Sequence, residues 1–193
     1  MTEIIPAILP KDAKDLETAI SNLSDSPTYI HLDILEKDIW SEIVSEFEVH
    51  LMVDGPEAII GQWVDRGAKR IIVHELNEEI LLHRGITEIG LGVELDIPNS
   101  ELIGLVDHVD FVHLMSIAEI GEQGHPFDKR VFDKIKELRS MFGDIIISVD
   151  GGINLKNIEP LLELEVDRLI IGSAIIKTND PQESFQEFLE IAN

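Results

Sequence analysis

Residues 29–33 read YIHLD, a histidine and a carboxylate two positions apart inside an apolar run. Positions i and i+2 of a strand share a face, so His31 and Asp33 point the same way and need solvent or a partner. Related patterns recur downstream. FEVHLMV at 47–53 carries His50 with Met52 on its face, IIVHE at 71–75 ends in His74 and Glu75, and FVHLMSI at 111–117 offers Met115 or Ser116. IISVDGGI at 146–153 carries Asp150, with Ser148 on its face. His31, Asp33, His50 and Asp150, brought together from three strand ends, would make a divalent metal site. With no cysteine in the chain, thiolate sites, iron–sulfur clusters, disulfides and a cysteine nucleophile are excluded. The N/O donors suit Zn, Mn, Fe(II) or Co. Taken singly, a strand-end histidine is ordinary hydrogen-bonded filler and an aspartate before Gly-Gly is turn chemistry. As a set, ionisable groups buried at one place need a cation or one another.

A second signal lies in DGGIN and GSAI. Gly151, Gly152, Gly172 and Ser173 fall just after the last two apolar runs. Many barrels bind phosphate there through backbone N–H groups, and glycine lets the backbone approach closely and take positive φ. Ordinary βα turns use the same residues, so the signal points to phosphate without selecting a reaction.

The elements that must position these residues alternate along the chain. Strands are predicted at Ile4–Leu9, Thr28–Asp33, Phe47–Val53, Arg70–His74, Glu88–Leu95, Asp110–Ser116, Asp144–Asp150 and Arg168–Gly172. Helices are predicted at Asp12–Leu23, Ile39–Phe47, Pro56–Arg66, Glu78–His83, Ser100–His108, Asp128–Phe142, Asn154–Leu164 and Pro181–Ala192. Pro56 suits a first turn, Ser100 an N-cap and Gly143 a C-cap. Strict βα alternation argues for a parallel sheet, and eight units for a closed (β/α)8 TIM barrel with its chemistry at the C-terminal strand ends. An open doubly wound sheet is second, and the G-x-G-x-x-G turn expected of it is missing. The expectation is one barrel domain over residues 1–193, lean against the roughly 250 residues typical of the fold.

Composition narrows the partners. The chain has 193 residues, 44% of them hydrophobic, with 38 acidic and 15 basic side chains and a net charge of -23. Such a surface repels nucleic acid and anionic lipid, so neither is expected as a partner. An anionic substrate would need a local site of backbone N–H groups or a cation. No apolar run reaches the roughly 18 residues of a transmembrane helix. The opening MTEIIPAILP lacks the basic start of a signal peptide. A cytoplasmic protein is expected.

The motifs together resemble the ribulose-phosphate 3-epimerase family, nearly end to end. PAIL at 6–9 resembles the family's P-S-I-L, and HLDILEKD at 31–38 a divergent H-x-D-V-M-D-G. VHLMV at 49–53, GAKRIIVHE at 67–75, VDGGIN at 149–154 and GSAI at 172–175 follow the family in order. The resemblance implies a ribulose-phosphate-binding barrel and a small-molecule sugar-phosphate substrate. It implies one divalent metal held by His31, Asp33, His50 and Asp150. It implies a two-base proton transfer between D-ribulose 5-phosphate and D-xylulose 5-phosphate. One of Asp33 and Asp150 would take the C3 proton and the other would return one to the opposite face, through a cis-enediolate. The metal would hold the C2 carbonyl and C3 hydroxyl oxygens. Met52 and Met115 match methionines that line the enediolate site. The family's dimers and hexamers are the basis for expecting a homo-oligomer.

Departures from the family pattern are specific. Ala7 stands in place of the serine of P-S-I-L, Leu35 in place of a methionine, and Glu36 and Lys37 in place of D-G. AEIGEQGHPF at 118–127, with Gly121, Gly124 and His125, replaces N-P-G-F-G-G. His74 and Glu75 are adjacent where the family has H-x-E. The alternative reading is therefore a sugar-phosphate-binding barrel with another substrate (another epimerase, an aldolase or a decarboxylase) or without turnover. DILEKD at 33–38 misses the D-x-K-x-x-D spacing of related decarboxylating barrels.

Overall fold

The computed structural model describes residues 2–23, 27, 29–35, 37–118 and 124–193; Thr28, Glu36 and Gly121 of the sequence reading lie outside the described residues. Eight strands run in chain order: β1 (Glu3–Ile8), β2 (Tyr29–Ile34), β3 (Glu46–Leu51), β4 (Arg70–Val73), β5 (Glu88–Val93), β6 (Phe111–Met115), β7 (Ile146–Asp150) and β8 (Arg168–Ile171). Each pairs in parallel with its neighbours, and β8 closes onto β1 through Glu3↔Arg168 to Pro6↔Ile171. The expected TIM barrel is the fold found.

Alternation divides the strand residues between two environments. Outward residues such as Leu32, Val49, Ile71, Leu114, Val149 and Leu169 are buried against the helices in the main apolar cluster. α1 (Ala13–Asn22) contributes Leu16, and Asp12 caps it by accepting from the Asp15 N–H at 2.8 Å. α2 (Glu57–Asp65) contributes Ile60 and the wholly buried Trp63. α3 (Glu78–Leu81) is capped by Asn77. α4 (Arg130–Phe142) buries Ile135 and Leu138 and stops at Gly143, φ 61°. α5 (Ile158–Glu163), the short α6 (Ser173–Ile176) and α7 (Pro181–Ala192) complete the layer, α7 opening on Asp180 and Pro181. Among the described residues no helix is long and apolar enough to cross a membrane.

Two crossovers differ from the sequence expectation. Residues 39–45 form no helix, and β3 begins at Glu46. Ile39, Ile43 and Val44 are β-branched, which lowers helix propensity, and Trp40 is drawn onto Trp63, 5.6 Å between ring centroids. Side-chain bonds then fix the segment: Ser41 donates to Glu17 at 2.7 Å, and Arg66 donates to Asp38. The Ser100–His108 helix is instead two 3₁₀ turns, Asn99–Leu102 and Val106–His108, broken at Gly104 with φ 84°. The GSAI stretch opens a short helix, α6, that is not among the helices predicted from the sequence.

Inside the barrel a small apolar cluster of Ile5, Ala7, Tyr29 and Ile170 sits among many polar side chains. At the barrel's N-terminal end Arg70 reaches Glu3 at 3.1 Å and Glu48 at 3.2 Å, and Arg168 reaches Glu88 at 3.2 Å. The two guanidinium groups lie over the rings of Tyr29 and Phe111, at 4.3 and 4.7 Å from the centroids. On β5 the inward positions are Gly90 and Gly92, and a Cβ there would meet the rings of Phe111 and His74. Absent side chains on one strand thus make room for rings from β6 and from the end of β4.

Candidate active site

The β2–β3 register sets Asp33 beside His50 and His31 beside Glu48, and the β6–β7 register sets Met115 beside Asp150 and His113 beside Ser148. His31, His50 and His113 are each 0% exposed, whereas Asp33 and Asp150 reach the pocket above them. His31 Nε2 lies 3.2 Å from Asp33 Oδ1. His50 Nδ1 lies 3.6 Å from the same oxygen and 3.9 Å from Asp150 Oδ2. His113 Nε2 lies 3.4 Å from that Asp150 oxygen.

Each imidazole is gripped from behind. His31 Nδ1 is 2.7 Å from Glu48 Oε1, and the other Glu48 oxygen meets Arg70. His50 Nε2 is 2.8 Å from His74 Nε2, so one of these rings donates and the other accepts. His113 Nδ1 is 3.2 Å from Ser148 Oγ. These contacts leave His50 Nδ1 and His113 Nε2 buried with no hydrogen-bond partner. An unsatisfied buried polar atom costs about 1–3 kcal/mol, and two on adjacent rings aimed at carboxylates fit a cation between them. One donor atom from each of His31, His50, His113 and Asp150 falls within a 4.8 Å span. The residues fit a divalent metal by donor type, burial and support of the rear nitrogens.

Electrostatics separates the two aspartates. Burial pushes the Asp33 carboxyl up, but the His31 hydrogen bond and the nearness of the His31 and His50 rings outweigh it and hold the group below the usual carboxylate range. Burial, with the Asp33 charge next, pushes Asp150 up to about 6. Burial opposes a charge on His31, yet Asp33 and Glu48 prevail and raise its pKa. His113 is pushed down to about 3 by burial and then by His31, and His74 to about 4 by burial and then by His50.

Met52, Met115, Gly151, Gly152, Gly172 and Ser173 line one pocket together with Asp33 and Asp150. The two aspartates, the two methionines and the four phosphate candidates thus line one pocket, with His31 and His50 beneath its floor. Gly151 and Gly152 take φ of 114° and 64°. A Cβ on Gly152 would lie 2.5 Å from the Phe127 nitrogen, so the segment ending the divergent loop rests on this turn. Ala7, Gly124 and His125 also line the pocket. Ser116 does not enter it; its hydroxyl lies 2.8 Å from the Asp150 carbonyl and 2.6 Å from that of Gly151 and pins the turn. His74 and Glu75 border a separate opening with Glu94.

Sequence reasoning missed His113 and Glu48. Both sit two residues before a residue it singled out, Met115 and His50, so the alternation that paired His31 with Asp33 places them inward as well.

The profile of the "Ribulose-phosphate 3 epimerase family" matches residues 3–176. Ribulose-phosphate 3-epimerase of Schizosaccharomyces pombe is 24% identical, with 94% of this chain and 90% of that protein covered. The Bacillus subtilis enzyme of the same name is 26% identical, covering 97% and 98%. The Mycobacterium leprae one is 26% identical, covering 92% and 89%. Among solved structures, the tryptophan synthase α-subunit of Pyrococcus furiosus superposes with a TM-score of 0.74 at 16% identity, covering 97% and 98%. At that identity the likeness speaks for the barrel alone.

Proposed function

The chain belongs to the ribulose-phosphate 3-epimerase family, and on that premise we propose that it interconverts D-ribulose 5-phosphate and D-xylulose 5-phosphate by proton transfer at C3. It is an isomerase-class enzyme, an epimerase. The observation that carries the finer reading is the placement of Asp33 and Asp150. They come from β2 and β7, lie 3.6 and 3.9 Å from one His50 nitrogen, and both line the pocket.

Inversion at carbon needs a proton removed from one face and another delivered to the opposite face. A lone base returns the proton where it found it. Asp33 and Asp150 supply the pair: one takes the C3 proton, the other protonates the enediolate from across the ring of contacts, and the reverse reaction exchanges their roles. His31, Asp33, His50 and Asp150 would hold one divalent metal, which when bound would supply Lewis acidity to a carbonyl and so acidify the C–H beside it. Glu48 and His74 keep the His31 and His50 rings in the orientation that presents a free nitrogen. Met52 and Met115 line the pocket with apolar surface and exclude water from the reacting carbons. Backbone N–H groups at Gly151, Gly152, Gly172 and Ser173 would receive the phosphate.

Proton NMR of the zinc- or manganese-loaded chain with D-ribulose 5-phosphate is expected to show D-xylulose 5-phosphate appearing. Asp33→Asn and Asp150→Asn are each expected to slow it by about 10²–10⁴-fold. Folded variants that keep full turnover would remove these residues from the acid/base roles.

A further inference from the structure

The metal reading above uses two histidines, yet three present a nitrogen to the same place. His31, His50 and His113 stand on β2, β3 and β6, and each is 0% exposed. In every case the rear nitrogen is occupied, by Glu48 at 2.7 Å, His74 at 2.8 Å and Ser148 at 3.2 Å. The forward nitrogens of His50 and His113 have no hydrogen-bond partner. A ring held at one nitrogen and bare at the other is how proteins prepare a histidine to ligate metal.

Packing alone does not account for His113. Its ring stacks on His31 at 5.6 Å and 10°, and a hydrocarbon side chain would fill that space without burying an unpaired nitrogen. Its Nε2 lies 3.4 Å from Asp150 Oδ2, closer than His50 Nδ1 comes to that oxygen at 3.9 Å. The donor atoms of all three rings and Asp150 fall within 4.8 Å of one another.

We propose that His113 is a third imidazole ligand of the divalent metal, joining His31, Asp33, His50 and Asp150 in a centre richer in nitrogen. This rests on the metal reading given under Proposed function. Ser148 is then a positioning residue that sets the His113 ring. A third imidazole tilts preference toward zinc and cobalt and away from manganese and magnesium, which favour oxygen.

The test reads metal binding without substrate. The full chain is stripped of metal and loaded with Cu(II), and the coordinated imidazoles are counted by pulsed electron paramagnetic resonance through their remote nitrogens. Zn(II) affinity is measured by competition with a chromophoric chelator. Three imidazoles are expected in the wild type and two in His113→Leu, with Zn(II) affinity lowered by at least about 10–100-fold. Ser148→Ala is expected to lower affinity less and to keep the count at three. A wild type with one bound metal and two imidazoles, or a folded His113→Leu with unchanged zinc affinity, overturns the His113 assignment and leaves the epimerase reading standing. A chain that binds no divalent metal overturns both the assignment and the metal reading. Should His113→Leu fail to fold, the wild-type count decides.

Discussion

Gly92→Ala asks whether the barrel interior is shaped to hold His50 through His74. Gly92 is not among the positive-φ glycines, so alanine meets no backbone obstacle. In open space the change would favour the strand by about 0.5–1 kcal/mol. Here the new Cβ would stand 2.9 Å from Cε1 and Nε2 of His74 and 3.0 Å from Nδ1. Non-bonded carbon contacts settle near about 3.5–4 Å, so the ring must retreat by roughly 0.5–1 Å. The His74–His50 contact of 2.8 Å would then leave the hydrogen-bonding range of about 2.7–3.2 Å. Overpacking of this kind costs about 1–3 kcal/mol, which leaves a net loss of up to about 2.5 kcal/mol once the strand gain is subtracted. Loss of the contact behind a ligand lowers metal affinity by about 10–100-fold. Urea unfolding of the metal-free protein and Zn(II) competition titrations read the two effects separately. In a His74→Ala background the clash is gone, and Gly92→Ala is expected to stabilise the chain by about 0.5–1 kcal/mol while affinity stays low. An equal stability loss in both backgrounds, or wild-type zinc affinity in Gly92→Ala, would refute the reasoning.

Gly152→Ala places a side chain at φ 64° and against the backbone of Phe127. Stability should fall by about 1–3 kcal/mol, and KM for the sugar phosphate should rise with Zn(II) affinity retained, as steady-state kinetics and chelator competition will show. Arg70→Met leaves Glu48, 0% exposed, with its His31 hydrogen bond but without its guanidinium partner. Urea unfolding should show a loss of about 3–5 kcal/mol, partly recovered in Arg70→Met/Glu48→Gln. Trp63→Ala empties the wholly buried centre of the α2 contact and should cost about 3–5 kcal/mol by thermal unfolding, with turnover at low temperature preserved.

The eight strands were legible because each is a short apolar run bounded by turn residues, and alternation then assigned faces without further information. That logic found His31 with Asp33 and His50 with Met52. It stopped one layer short, because polar residues were sought at strand ends, where a barrel does chemistry. His113 and Glu48 lie deeper, among apolar neighbours such as Val112 and Val49. Their partners Ser148 and Arg70 are set by register across strands, which local pattern does not contain. The 39–47 segment has helical apolar spacing, but the edge-on packing of Trp40 against Trp63 outweighs a weak local preference. The glycines at 151 and 152 announced a special turn; that the backbone of His125 and Phe127 rests on Gly152 depends on a contact 27 or fewer residues away in sequence but closed only by the barrel.

Deuterium incorporation at C3 of D-ribulose 5-phosphate in heavy water, followed by NMR with added zinc or manganese and again with chelator, tests proton abstraction most directly. It registers even when net turnover is slow. Uptake that requires metal and is lost in Asp33→Asn or Asp150→Asn is the expected result. No uptake by the folded, metal-loaded chain would contradict the assignment of these two carboxylates to C3 proton transfer.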